Sequence, residues 1–263
     1  IGQWLLPLAE RAESASHPRK YRGWDRVHPQ EILIRPGFDQ VQELTDLPLE
    51  VISGEVPRGL LGHLFFQSFA QEVKHELRFM SRPILMRIDI REAEGGPAEL
   101  RLTSRKIVTP AHVFKRYAEG TSDAFRFLRS LLWISPSGGM QGDHGTGIVA
   151  VDDGLLLTAN TQSPVLVDKK TLKVIGPFGR AADYYPAVPF AAPFAPRYMS
   201  AHAFYDEHTS EFFSTNYGYG FTRLVVWQPG WKNLKSFLLR DQAGKALHIK
   251  QSSHQLMVTR DYV

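Results

Sequence analysis

Two histidines in the C-terminal part of the chain stand in similar settings. His202 lies in the segment Ser-Ala-His-Ala-Phe-Tyr-Asp, and His254 begins His-Gln-Leu-Met-Val-Thr-Arg-Asp-Tyr. Each follows a loop and precedes a strand-like run, so both imidazoles can point toward a shared space instead of into a packed sheet. Imidazole binds Zn, Cu, Fe and Ni, so the pair predicts a metal site without naming the ion. The chain has no cysteine, which leaves only His, Asp and Glu as protein ligands.

Other kinds of active site find little support. The glycine-rich segment 138–147 lacks the Gly-Lys-Ser/Thr of a phosphate-binding loop and precedes a strand-like run, not a helix. The Gly-x-Ser-x-Gly elbow of many serine hydrolases is absent. The net charge is +4, and no recognition motif accompanies the basic residues, so nucleic acid is not an expected partner.

The elements that must position the histidines are strands. Short alternating or apolar runs recur along the chain, and turn residues such as Asp153-Gly154 separate them. The predicted strands cover residues 47–51, 84–90, 100–104, 148–151, 155–158, 165–167, 172–175, 211–217, 222–227, 237–240 and 246–249. This pattern predicts an all-β protein, either a propeller or a sandwich.

Two regions depart from the β pattern. Residues 1–45 are polar and basic, and we expect an irregular N-terminal extension on a domain formed by residues 46–263. Residues 124–134 form the best helix candidate, with apolar side chains three and four positions apart and arginines largely off that face. The stripe fits a core-facing helix, but Trp133 widens it toward the profile of a helix at a membrane surface. No uninterrupted apolar run approaches the ~18 residues that a membrane-spanning helix needs.

Five ordered segments carry a resemblance to a known family. Residues 47–62 resemble its opening strand and turn, and residues 104–110 its arginine-bearing strand. Residues 152–172 resemble the hairpin before the first metal ligand, and residues 202–212 and 254–262 resemble its first two ligand segments. The chain is thereby similar to the N-terminal half of the carotenoid cleavage oxygenases, which include carotenoid- and stilbene-cleaving dioxygenases and the retinoid isomerase.

The resemblance implies a fold and a site. The fold would be a partial seven-bladed β-propeller, roughly the first half of the blades, with the N-terminal extension and one short amphipathic helix. In the family, four neutral histidines hold Fe(II) on the propeller axis beside an apolar tunnel. His202 and His254 would be the first two ligands. Asn160 aligns where many members have a glutamate that hydrogen-bonds a ligand histidine, so it is the expected partner of a ligand.

The implied function is Fe(II)-dependent oxidative cleavage of a carotenoid or related apolar conjugated alkene by O2. The alternative is a non-catalytic, propeller-like structural or pigment-associated subunit of a membrane complex. Either a protein partner or a C-terminal half would complete the propeller. We also expect peripheral membrane association, in the cytoplasm or a plastid, through an apolar patch formed by Phe125, Phe127, Leu128, Leu131, Leu132 and Trp133.

Overall fold

Strands make up nearly all of the regular structure in the computed structural model. It describes residues 43–57, 59–70, 82–92, 98–108, 134–135, 139–140, 146–152, 154–160, 162–185, 197–218, 220–249 and 254–259. The strands are β1 (Leu47–Leu49), β2 (Gly62–Ala70), β3 (Arg82–Arg91), β4 (Glu99–Lys106), β5 (Ile134–Ser135), β6 (Gly139–Met140), β7 (Gly147–Val151), β8 (Gly154–Thr158), β9 (Val165–Val167), β10 (Val174–Pro177), β11 (Tyr198–Met199), β12 (Phe204–Asp206), β13 (Glu211–Gly218), β14 (Phe221–Trp227) and β15 (Lys235–Leu238). One 3₁₀ turn, Ala181–Asp183, is the only helix within these ranges. No helix in them is long and apolar enough to cross a bilayer.

The strands form three antiparallel sheets. The first sheet has the order β1-β4-β3-β2 and the second is the meander β10-β9-β8-β7. The third has the order β11-β13-β14-β15, with β12 also paired to β13. A separate ribbon joins β5 to β6. Sheets of about four strands, made largely from consecutive segments, are the blades of β-propellers.

The second sheet is buried between the other two. Leu155 and Leu157 on β8 join Leu85 of the first sheet in one apolar cluster. Leu156 points to the opposite face, because successive side chains of a strand alternate, and joins Phe212 of the third sheet in another cluster. All five residues of β8 are buried. The unbroken apolar run in the sequence therefore reflects a strand with no solvent-facing side.

An ion pair on β3 also connects the first sheet to the second. Arg87 Nη2 donates to Asp89 Oδ2 at 2.9 Å, and Arg87 Nη1 donates to the Lys169 carbonyl oxygen at 2.9 Å. His63 Nδ1 lies 2.6 Å from Asp89 Oδ1. The Asp89 side chain is only 2% exposed. Arg87 thus links β3 to the β9–β10 turn while neutralising a carboxylate that the packing has removed from water.

The structure corrects two of the predicted strands. One begins later than predicted, and the other does not form. Leu172 lies in a turn with φ of 57°, and its N–H donates to the Asp168 carbonyl at 2.8 Å, so β10 begins at Val174 instead of residue 172. The Asp168 carboxylate accepts from the Thr171 N–H at 2.6 Å, which closes the turn before the strand starts. Residues 246–249 form no strand: they have one isolated bridge, Arg240–Ala246, and the Leu247 carbonyl accepts from the Thr222 N–H at 2.8 Å.

The all-β prediction is confirmed, and the structure adds strands that the sequence pattern did not assign. The longest of these is β2, which pairs with β3 along its whole length. Residues 1–42 and 124–133 lie outside the described ranges, so the N-terminal extension and the amphipathic helix stay predictions. Ile134, at the end of the proposed helix, is the first residue of β5.

Candidate metal centre

The two predicted ligand histidines lie side by side. The His202 N–H donates to the His254 carbonyl oxygen at 3.0 Å, and the Leu256 N–H donates to the His202 carbonyl oxygen at 3.2 Å. These bonds form a parallel bridge between His202 and Gln255. The ring centroids are 4.9 Å apart, and the ring planes meet at 74°. Two segments 52 residues apart in sequence therefore present adjacent imidazoles.

Different local structures place the two rings. His202 is half-buried and precedes β12, as the sequence predicted for a ligand at the start of a strand. His254 is exposed, and the expected strand after it is reduced to the single bridge at Gln255 within the described residues 254–259. The segment that begins at His254 is held by its two main-chain hydrogen bonds to His202 and not by a strand ladder.

Asn160 also reaches the pair. It follows β8, and its carbonyl oxygen accepts from the Met199 N–H at 2.9 Å, which ties the end of β8 to β11. Its Oδ1 lies 3.1 Å from His254 Nδ1. An amide oxygen can only accept, so a hydrogen bond here requires the proton on Nδ1, which is the tautomer whose Nε2 lone pair can bind a metal.

The arrangement fits a metal ion held by imidazole. Metal–imidazole bonds are about 2.0–2.1 Å long, so rings at this spacing can share one ion. Asn160 fixes a tautomer that suits a ligand, although its amide lacks the charge of a carboxylate. Within the described ranges, no group of three or more His, Asp or Glu side chains could hold an ion. The structure thus brings two imidazoles together, and a metal ion bound by them is a proposal.

The remaining described histidines stand apart from this pair. His208 lies in an exposed turn after β12. His248 is exposed and lies outside any strand, so the predicted strand setting is wrong. His63 pairs with Asp89, a contact that sequence reasoning missed. The available signal was an aspartate in an apolar run, two positions from Arg87 and on the same strand face.

The six residues proposed for the membrane patch, residues 125, 127, 128 and 131–133, lie outside the described residues. The structure therefore places His202, His254 and Asn160 together and leaves the patch as a prediction from sequence.

Comparisons with known proteins agree with this fold. The family model described as retinal pigment epithelial membrane protein (RPE65) matches residues 37–263. Among solved structures, lignostilbene dioxygenase of Pseudomonas brassicacearum has a TM-score of 0.50 at 16% identity, covering 75% of this chain and 39% of that chain. An ACO/RPE65 chimera has a TM-score of 0.51 at 16% identity, covering 80% and 45%. A mutant of the Synechocystis apocarotenoid oxygenase has a TM-score of 0.50 at 16% identity, covering 80% and 46%.

This chain thus spans less than half the length of those structures, and at such identity the likeness concerns the fold. No curated protein sequence matches the chain. The three sheets correspond to part of a β-propeller, as the family resemblance implied. The family match spans every segment that carried the resemblance to the carotenoid cleavage oxygenases, and that prediction is confirmed. The chain belongs to the retinal pigment epithelial membrane protein (RPE65) family.

Proposed function

We propose that this chain forms part of an Fe(II)-dependent oxygenase that cleaves a carotenoid or a related apolar conjugated alkene with O2. The observation that carries the proposal is the convergence of His202 and His254, whose rings lie 4.9 Å apart. The family match and the partial propeller support the proposal. Lignostilbene dioxygenase and apocarotenoid oxygenase, which share the fold, bear names that point to alkene-containing substrates.

The roles of the residues follow from their contacts. His202 and His254 would bind the metal through imidazole nitrogens, and other imidazoles would complete the ligand set. Asn160 would accept a hydrogen bond from the Nδ1–H of His254 and so keep Nε2 free for the ion. Bound iron would supply the O2 chemistry, whereas these residues hold the ion and fix the direction of each ring.

Iron analysis of histidine variants of the purified full-length protein tests the ligand assignment. We expect His202→Ala and His254→Ala each to lose most of the iron, together with O2 consumption in the presence of a polyene. His208→Ala is the matched control, because His208 is exposed in a turn only six residues from His202. Wild-type iron content in both ligand variants would show that the assignment is wrong.

A second candidate is a non-catalytic subunit with a structural or pigment-associated role. The observation that favours it is Asn160, which aligns with a glutamate of many family members and offers His254 a neutral amide in place of a carboxylate charge. The same preparation separates the candidates. A wild-type protein that takes up no iron under anaerobic reconstitution, yet binds a carotenoid, supports the subunit.

We further propose that the protein associates peripherally with a membrane. Support comes from the sequence of residues 124–134, where a wide apolar stripe lies beside Arg126 and Arg129. Basic side chains near an anionic surface contribute ~1 kcal/mol each to binding. An apolar alkene dissolves in the bilayer, so a membrane-bound protein could take it up without carrying it through water.

A further inference from the structure

The peptide group that joins Ala201 to His202 is held at both of its polar atoms. Its N–H, on His202, donates to the His254 carbonyl oxygen at 3.0 Å. Its carbonyl oxygen, on Ala201, accepts a hydrogen bond from the Thr158 hydroxyl. A peptide group is planar, so fixing both atoms fixes the plane. The direction in which the His202 side chain leaves the backbone depends on that plane.

Thr158 lies at the end of a strand that contacts both histidine segments. It is the last residue of β8, the strand buried on both faces, and it is itself 1% exposed. Two residues later, Asn160 contacts His254. The end of one rigid strand therefore reaches the first histidine through a backbone carbonyl and the second through a side-chain amide.

Gly147 makes room for this contact. Gly147 is the partner of Thr158 across the β7–β8 pair. A Cβ added at Gly147 would lie 2.5 Å from the Ala201 carbonyl oxygen and 2.5 Å from Thr158 Oγ1. A side chain cannot occupy that space, so glycine at this position permits the Thr158 hydroxyl to reach Ala201.

We propose that Thr158 is a positioning residue for the metal centre, acting through the Ala201–His202 peptide, with Gly147 providing the space. This inference rests on the proposed function, because it takes His202 and His254 as metal ligands. Without the hydroxyl, the Ala201 carbonyl is buried with no hydrogen bond from Thr158, and the peptide can turn to seek another donor. His202 then no longer meets His254 at the spacing that one ion needs.

The test is Co(II) titration of the metal-free full-length protein, with the visible absorption spectrum and the dissociation constant as readouts. Thr158→Val keeps the shape and removes the hydroxyl, whereas Thr158→Ser keeps the hydroxyl. We expect Thr158→Val to weaken Co(II) binding about tenfold or more, in the range known for groups that orient metal ligands, and to change the spectrum. Thr158→Ser should restore wild-type binding and spectrum.

Two further variants distinguish a specific loss of Co(II) binding from a general loss of stability. Thr158→Ala and Thr158→Ser differ only by the hydroxyl. If Thr158→Val does not fold, the difference in Co(II) affinity between these two variants measures the effect of the hydroxyl. Thr103→Val is the matched control, because Thr103 is a buried threonine of the first sheet whose Oγ1 accepts from the Asp46 N–H at 3.3 Å. We expect Thr103→Val to lower the melting temperature while leaving the Co(II) affinity and spectrum unchanged.

The outcomes separate this inference from the proposed function. Wild-type Co(II) binding by folded Thr158→Val or Thr158→Ala, with binding still lost in His202→Ala and His254→Ala, overturns the role of Thr158 and leaves the metal site standing. A loss of affinity in Thr103→Val equal to that in Thr158→Val also overturns it. Co(II) binding that persists unchanged in His202→Ala and His254→Ala overturns both.

Discussion

At the residue scale, the sequence singled out the two histidines that lie in short recognisable motifs. It missed the histidine whose contact depends on a residue distant in sequence. His202 and His254 could be recognised because each lies in a motif of a few residues. His63 could not be, because its partner Asp89 is 26 positions away and meets it only through the β2–β3 register. The Thr158 contact was hidden for the same reason, since it joins residues 43 positions apart.

The His63–Asp89–Arg87 cluster has a predicted pH signature. Burial alone would raise the pKa of the Asp89 carboxyl, but hydrogen bonds and charge from Arg87 and His63 outweigh it and hold the pKa below the ordinary 3.8. A lowered folded-state pKa adds stability above the unfolded value, and that stability is lost as the pH falls through the folded value. At neutral pH, Asp89→Asn should cost about 3 kcal/mol, because it leaves the Arg87 guanidinium, whose side chain is only 14% exposed, without its counter-charge.

Urea unfolding of wild type and Asp89→Asn at a series of pH values measures this effect. The difference in free energy of unfolding should be largest at neutral pH and shrink as the pH falls below about 3.8, where the wild-type carboxyl takes up a proton. A difference that stays constant over the whole series contradicts the proposed role of the carboxylate charge.

At the element scale, strand existence was easier to predict than strand extent. The run Gly-Leu-Leu-Leu-Thr predicted β8 because a strand between two sheets needs apolar residues on both faces. Leu172 was misassigned to a strand because its side chain is buried, although its backbone has a φ of 57° and lies in a turn. Apolar patterning reports where a side chain goes and not what its backbone does. Residues 246–249 differ from Leu172, because they alternate without forming a strand and Leu247 and Ile249 are each 41% exposed.

The packing of the second sheet predicts unequal effects of the same substitution at two glycines. A Cβ on Gly154, at the start of β8, would meet the Val167 carbonyl oxygen of β9 and come within 3.3 Å of Leu166 Cδ1. Gly154→Ala should therefore lower the free energy of unfolding by about 1–3 kcal/mol, the usual cost of overpacking. The melting temperature should fall by about 2–4 °C for each kcal/mol.

Gly176→Ala is the matched control in the same sheet. Gly176 lies on β10, and a Cβ there would meet nothing within 4 Å. This change should be neutral or stabilising by up to about 1 kcal/mol, because alanine reduces the entropy of the unfolded chain. Equal melting temperatures for the two variants would show that β8 and β9 do not approach as closely as the structure indicates.

At the scale of the whole molecule, the three sheets stack as neighbouring blades, and the second is covered on both sides. The sequence could predict the strands but not this stacking. It contains no repeat of fixed period that would favour a propeller over a sandwich. The family resemblance supplied that choice. Among the described residues, nothing covers the other face of the first sheet to the same extent, and Leu64 and Phe66 are 49% and 39% exposed there.

The last prediction concerns how the molecule meets a membrane. If the stripe in residues 124–134 binds a bilayer, Leu131→Ser with Leu132→Ser should abolish sedimentation with anionic liposomes and leave the melting temperature unchanged. Each lost leucine removes apolar area from the lipid contact, and Arg126 and Arg129 alone would contribute only ~1 kcal/mol each. If the same leucines instead face the protein core, each change should cost ~2–5 kcal/mol of stability.

Leu60→Ser with Leu61→Ser is the matched control, since these two adjacent leucines are 52% and 53% exposed. We expect this pair to keep both liposome binding and stability, which would show that the effect belongs to residues 131 and 132 and not to exposed apolar side chains in general. A clear fall in melting temperature for the Leu131 and Leu132 variant, with liposome binding retained by its folded fraction, contradicts the membrane proposal and assigns the stripe to the protein core.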